Sequence, residues 1–200
     1  MTFPRRTILK SVAAATLLAL AGLQPVTAFA TEVAGVKFDD SVTVNGAPLK
    51  LVGAGLRTKV VFKVYALGLY LTEKKNSVAD ILAAPGPRRV QIVVLRELTS
   101  EEFGNAFMHG LNANSDQAER SKLVTQTKQF GEMFASIPGL KKGDVLTVDW
   151  IPGSGTQCML NGKNVGGVLQ DQAFYNALLK IWLGDKPVDS TLKAQLLGER

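Results

Sequence analysis

The chain has 200 residues, 46% of them hydrophobic, and a formal net charge of +6. Its single cysteine, Cys158, and single histidine, His109, exclude an intrachain disulfide and a Cys/His metal cluster. Arg5, Arg6 and Lys10 supply half of the excess charge; the rest carries 20 basic against 17 acidic residues, too mild and too scattered for a nucleic-acid interface.

Met1–Ala30 reads as an export signal. Arg5, Arg6 and Lys10 form a positive start, Ser11–Leu23 a short apolar stretch, and Ala28-Phe29-Ala30 a small-x-small cleavage site. The apolar stretch falls short of the ~20 residues that span a bilayer, so no stable membrane insertion is expected. No cysteine follows the cleavage site, which excludes a lipoprotein anchor. PRRTILK resembles a twin-arginine signal, with Pro4 in place of Ser or Thr and Ile8 in place of Phe. Both Sec and twin-arginine export stay open. Either places residues 31–200 in the periplasm or outside the cell as one domain.

Asn45-Gly46 predicts a tight hairpin between Val42–Val44 and Pro48–Val52. Lys59–Leu71 reads as one long strand, with Val60, Phe62, Val64, Ala66 and Gly68 on an apolar face. Its other face starts wet at Lys59 and Lys63 and turns apolar from Tyr65. Ser77–Ala83 is a short helix stopped by Pro85-Gly86-Pro87, and Arg88–Leu95 a further strand. Thr99 and Glu102 form a capping box that opens a helix to about Asn114. Glu119–Ser136 is the next helix. Asp144–Ile151 and Thr156–Leu160 are strands, and Asn161-Gly162 turns the chain into Lys163–Val168. Helices follow over Gln170–Leu183 and Thr191–Leu197, stopped by Gly184 and Gly198. This order predicts an α+β domain, an antiparallel sheet with helices on one face.

Few residues carry chemistry. Gly53-Ala54-Gly55 is not followed by a helical pattern and so is no dinucleotide loop; Pro152 rules out a nucleophile elbow at Gly153-Ser154-Gly155. His109 and Cys158 stand in no nucleophile motif, and Cys158 reads as a packed thiol. No metal and no cofactor is expected. Arg88-Arg89 and Lys141-Lys142 read as solvated surface pairs. The exception is Arg57, a lone arginine entering an apolar strand region, where a guanidinium needs a partner. Either it reaches solvent from a strand end, or it holds a small anionic or enol-like ligand.

The segments Gly53-Ala54-Gly55-Leu56-Arg57 and Lys63–Leu71 resemble the chalcone isomerase-like family. The resemblance continues through Leu98-Thr99, the hairpin Cys158–Val168 and the helix Asp171–Gly184, covering most of the chain beyond the signal. It implies an open-faced β-sandwich, a large antiparallel sheet under a layer of helices. The family includes plant enzymes that cyclise chalcones, fatty-acid-binding proteins and exported bacterial members. Arg57 falls on the arginine that stabilises the phenolate and the developing enolate in the enzymes. Tyr65 falls where the enzymes carry a threonine, Phe103 where they carry a tyrosine, and Tyr175 on a small hydroxyl residue. Gly110 falls near their asparagine, or Asn112 with a shift of two. Phe103 cannot donate a hydrogen bond to a carbonyl oxygen. An Arg–Tyr pair instead resembles the fatty-acid-binding branch, where these residue types hold a carboxylate.

The resemblance implies a ligand-binding domain for a small apolar carboxylate or phenolic compound, with Arg57, Tyr65, Phe103 and Tyr175 at the site. The alternatives are an intramolecular lyase or isomerase acting on an enone-like substrate through Arg57, and an envelope protein that binds protein partners, whose identity stays unknown. One geometric condition applies. On a straight strand, Arg57 and Tyr65 would stand about 26 Å apart. A shared site demands a turn near Thr58–Lys59, where the sequence offers neither Gly nor Pro.

Overall fold

The computed structural model describes residues 30–199; the export signal expected over residues 1–30 lies outside them but for Ala30. Two short strands, β1 (Ala30–Val33) and β2 (Val36–Asp39), form an antiparallel ribbon. The main sheet has seven antiparallel strands in chain order: β3 (Ser41–Val44), β4 (Ala47–Lys59), β5 (Phe62–Leu71), β6 (Arg88–Val94), β7 (Val145–Ile151), β8 (Gly155–Leu160) and β9 (Lys163–Asn164). Helices α1 (Val78–Ala83), α2 (Ser100–Asn114), α3 (Gln117–Lys122), α4 (Val124–Ala135), α5 (Gln172–Leu183) and α6 (Ser190–Leu196) complete the chain.

Alternation along β5 divides the interior. Leu67, Leu69 and Leu71 point into the main core with Phe130, Phe134, Phe174 and Leu178 from the helices. Ala66 and Tyr70 point the other way, onto Phe38 of the ribbon and Leu49. The helix layer covers one face as the sequence predicts, and the small ribbon shelters part of the other. Gly68 is required here, because a Cβ would come within 2.7 Å of the Phe38 ring.

Local signals are realised where they are strongest. Asn45-Gly46 and Asn161-Gly162 all take positive φ (47°, 78°, 50° and 76°), the backbone of a two-residue hairpin turn. Thr99 accepts the Glu102 N–H at 3.1 Å while the Glu102 carboxylate accepts the Thr99 N–H at 2.9 Å, closing the capping box of α2.

Four expectations need correction. Lys59–Leu71 is not one strand: the chain reverses at Val60-Val61, and Phe62 pairs back with Lys59. The helix expected over Glu119–Ser136 is two. Asp116 caps α3, accepting the Glu119 N–H at 2.8 Å, and Leu123 leaves helical geometry (φ −100°, ψ 9°), buried at the joint. The strand expected over Lys163–Val168 stops after Asn164, close to Gly166, which takes φ +68°. The Arg88-Arg89 pair is not solvated surface. Arg88 is fully buried, and Arg89 donates two hydrogen bonds to the buried carboxylate of Asp149, at 2.7 and 2.6 Å. Lys141 and Lys142 are exposed, as expected.

Candidate functional site

The reversal at Val60-Val61 builds the site. It folds β5 back along β4 and sets Arg57 directly opposite Tyr65. The register slips between Arg57 and Thr58, leaving Val64 as the extra residue of a β-bulge beside the pair. Side chains opposite one another across an antiparallel pair share a face and stand ~5 Å apart at Cβ. The separation of a straight strand therefore disappears. Tyr65 packs against the main core, so the pair faces the helix layer.

Two later segments complete the cluster. Trp182, near the end of α5, donates its indole N–H to the Tyr65 hydroxyl at 2.8 Å. Asp189, the N-cap of α6, spreads its carboxylate over both elements. Oδ1 accepts the N–H groups of Thr191 and Leu192 at 3.0 and 3.1 Å. Oδ2 accepts the Thr58 N–H at 3.1 Å and lies 3.4 Å from Arg57 Nη1. The same Nη1 bonds the Thr58 carbonyl. The guanidinium also stands within hydrogen-bonding reach of Tyr65, and the Arg57 side chain keeps 20% exposure.

Tyr65 is held as the neutral phenol. Burial pushes its pKa up to about 12, with the Trp182 hydrogen bond and the Arg57 charge pulling back and Asp189 adding to the rise. A phenol that accepts from Trp182 still has its own proton to donate. Arg57 and Tyr65 together can therefore offer a forked cation and an O–H to one oxyanion. A carboxylate, phenolate or enolate oxygen meets that donor set.

The edge of β4 explains why α6 sits here. Beyond Lys50, β4 has no strand partner on its β3 side. Its outward N–H groups turn to α6 instead: Leu56 donates to Gln195 Oε1 at 3.0 Å and Thr58 to Asp189. Gly53 and Gly55 permit this approach, since a Cβ on either would collide with Gln195. The glycine motif serves helix-on-strand packing.

The other expected site residues make contacts of their own. Phe103, in the first turn of α2, packs its ring 4.6 Å from Phe134 in an aromatic run that continues through Phe130 to Phe107. It belongs to the sheet–helix core. Tyr175 is fully buried two helical turns before Trp182, ~10 Å along α5. Its hydroxyl donates to the Val148 carbonyl at 3.4 Å, and the Arg88 guanidinium lies 4.9 Å from its ring centroid. The register sets Arg88 opposite Leu71, six residues along β5 from Tyr65. Tyr175 thus joins a polar centre with Arg88, whose backbone lies about 20 Å from Tyr65 along the strand. Gly110 is a packing position, where a Cβ would meet Ile181 at 2.7 Å, and Asn112 is exposed. Neither supplies an amide to the pair.

Sequence reasoning missed Trp182, Asp189 and Arg88. A signal existed for two: Trp182 stands seven residues after Tyr175 on one helix face, and Asp189-Ser190-Thr191 carries an N-cap pattern. Among the described residues, no group of three or more His, Cys, Asp or Glu is placed to hold a metal. Two open clefts, one beside Met133 and Gly166–Leu169 and one beside Leu51–Ala54 and Gln195, are not lined by Arg57 or Tyr65.

The fold is similar to that of a fatty-acid binding protein of Arabidopsis thaliana, with a TM-score of 0.66 over 82% of this chain and 92% of that one, at 18% identity. No curated protein sequence matches the chain. The family model described as chalcone isomerase-like matches residues 30–198, the whole sheet with its helix layer and the Arg57–Tyr65 hairpin. The chain belongs to the chalcone isomerase-like family.

Proposed function

We propose that this protein binds a small, largely apolar acid, a fatty acid or a phenolic compound, and does so without chalcone isomerase activity. The observation that carries the reading is the cross-strand pair: Arg57, partly exposed, opposite the neutral phenol of Tyr65. A carboxylate on Arg57 receives a charge-assisted fork, and the Tyr65 O–H adds a third bond. The alkyl or aryl portion enters between the sheet and the helix layer, displacing side chains that pack there in the free protein. The fold's likeness to a protein named for fatty-acid binding supports the same class of ligand. Export belongs to this proposal and rests on the basic start, apolar stretch and small-x-small site of Met1–Ala30.

The lyase reading needs donors aimed at a carbonyl oxygen as charge develops there. By resemblance, Phe103 falls where the enzymes carry a tyrosine and offers no side-chain donor; their asparagine falls on Gly110, which has none, or with a shift of two on Asn112, which is exposed.

The test is a titration of the purified domain with laurate and with a simple phenolic acid, followed by calorimetry. Arg57→Ala is expected to weaken binding at least tenfold, and Tyr65→Phe to weaken it less. Equal affinity in wild type and Arg57→Ala would remove the site. A chalcone-cyclisation rate above background in wild type, abolished in Arg57→Ala, would establish the lyase instead.

A further inference from the structure

We infer that the tip of the β4–β5 hairpin docks on a bilayer surface carrying anionic lipid, bringing the Arg57–Tyr65 pair to the membrane. The inference deepens the binding reading above by naming where an apolar acid is met, and its test is independent of that reading.

Three consecutive apolar residues crown the tip. Val60 is 88% exposed, Val61 77% and Phe62 54%. Scattered exposed apolar residues need no explanation, but a run of three at a protruding turn does. The turn chemistry points the same way. Val60 takes φ +58°, a conformation that a β-branched residue adopts only under strain. The other tight hairpins of this chain place Asn45-Gly46 and Asn161-Gly162 at their turns, which relieves that strain. The tip thus sets three apolar side chains in water on a backbone better suited to Asn or Gly.

Its surroundings select the occupant. Lys59 and Lys63 flank the apolar run and are exposed, and the Arg96 guanidinium lies 4.9 Å from the Phe62 ring centroid. Glu102 lies near Lys59 and Arg96, and its carboxylate is engaged in the α2 cap, accepting the Thr99 N–H. Glu101 stands in the first turn of α2, and the exposed Glu97 follows Arg96 in the chain. An apolar wedge flanked by Lys59 and Lys63, with Arg96 against Phe62, matches the boundary between acyl chains and anionic headgroups, where each basic residue near the surface is worth about fivefold in partitioning. Three side chains fall well short of the ~800 Å² per partner that a stable protein interface buries. Among the described residues no helix is long and apolar enough to cross a membrane, and shallow docking by a hairpin tip requires none.

The experiment is flotation of the purified domain with vesicles of phosphatidylethanolamine and phosphatidylglycerol, and with vesicles of phosphatidylcholine alone. Wild type is expected to float with the anionic vesicles, less so as salt is raised, and to stay behind with the neutral ones. The triple change Val60→Asn, Val61→Ser, Phe62→Thr is expected to reduce flotation at least tenfold. Val60→Asn relieves the positive-φ strain, so an unchanged or raised melting temperature shows that the loss is not unfolding. Lys59→Gln with Lys63→Gln is expected to lose over tenfold on anionic vesicles. Laurate titration in solution separates the two readings: the tip variants are expected to keep wild-type affinity, and Arg57→Ala to keep flotation. Flotation of the triple variant equal to wild type would overturn the inference. So would a wild type that ignores anionic vesicles, or a tip-dependent dimer in sedimentation velocity.

Discussion

Asp189 sets its own carboxylate on Arg57, with Oδ2 lying 3.4 Å from Nη1 while Oδ1 caps α6 through the N–H groups of Thr191 and Leu192. One side chain thus holds a helix start, the open edge of β4 and the guanidinium. The cap and the ion pair can be separated by substitution. Asp189→Asn keeps a good cap and removes the negative charge. It is expected to raise affinity for an apolar carboxylate by up to about fivefold, the range of a partly exposed ion pair. Asp189→Ala removes the cap as well and is expected to lower stability by about 1–2 kcal/mol. Calorimetric titration with laurate and urea unfolding of both variants check this. Weaker binding in Asp189→Asn would mean that the carboxylate orients Arg57 and does not compete with the ligand.

The Trp182–Tyr65 bond makes a second pair separable. Tyr65→Phe leaves the indole N–H of Trp182 without its acceptor in a largely buried position. An orphaned donor of this kind costs about 1–3 kcal/mol. Trp182→Phe leaves only a hydroxyl that can rotate to another partner, but deletes much of a large core side chain. A double-mutant cycle by urea unfolding is expected to return a coupling of about 1 kcal/mol. A coupling indistinguishable from zero would mean that the bond adds nothing to stability.

Alkaline pH should find the buried protons. Burial pushes Tyr65 from 10.0 up to about 12 and Cys158 from 9.0 up to about 12; Tyr70 and Tyr175 move the same way. The folded state then keeps protons that the unfolded chain has released. Their contribution is complete below about pH 9, where both states are protonated, and is lost as pH rises toward 12. Each tenfold gain in proton affinity on folding is worth about 1.4 kcal/mol, so Tyr65 alone accounts for about 3 kcal/mol across its window. Urea midpoints are expected to hold steady between pH 7 and 9 and to fall by pH 11. Cys158 is expected to resist a thiol reagent at pH 8 until the protein unfolds. A midpoint flat to pH 11 would contradict the burial of these groups.

The parts of this fold that were legible in the sequence are those decided within a few residues. The capping box at Thr99 and Glu102, the Asn-Gly turns and the apolar alternation of β5 each carry their cause in their own segment. The Arg57–Tyr65 pairing was legible only as a condition, because the turn that satisfies it uses Val60 against the local rule. Leu123 breaks a helical pattern that its neighbours would continue, since tertiary burial outweighs propensity there. Asp189 reads locally as a cap, but its second partner lies 132 positions earlier. Phe103 and Tyr175 read as site residues only through a family resemblance, and the sequence carries no sign of the aromatic rings and the buried arginine that contact them.

Arg88 shows how far composition can mislead. Beside Arg89 it reads as half of a surface pair, yet among the described residues it is the largest fully buried side chain. Its acceptors come from two distant elements: Nη1 donates to the Ile81 and Leu82 carbonyls at 3.4 and 3.3 Å, near the end of α1, and to Asn176 Oδ1 at 2.9 Å on α5. Burial draws its pKa down, and the Tyr175 ring lies against it. The two arginines should therefore respond oppositely to truncation. Arg57→Ala removes a partly exposed side chain with one long ion pair and is expected to cost about 1 kcal/mol or less in stability while weakening acid binding at least tenfold. Arg88→Ala leaves a cavity in the core and strips acceptors of their donor, and is expected to cost at least about 3 kcal/mol. Any protein that remains folded should keep its laurate affinity, because Arg88 lies far from Tyr65 along the sheet. Urea unfolding with titration of both variants tests the contrast. A mild Arg88→Ala that binds laurate poorly would move the anion site to the other end of the fold.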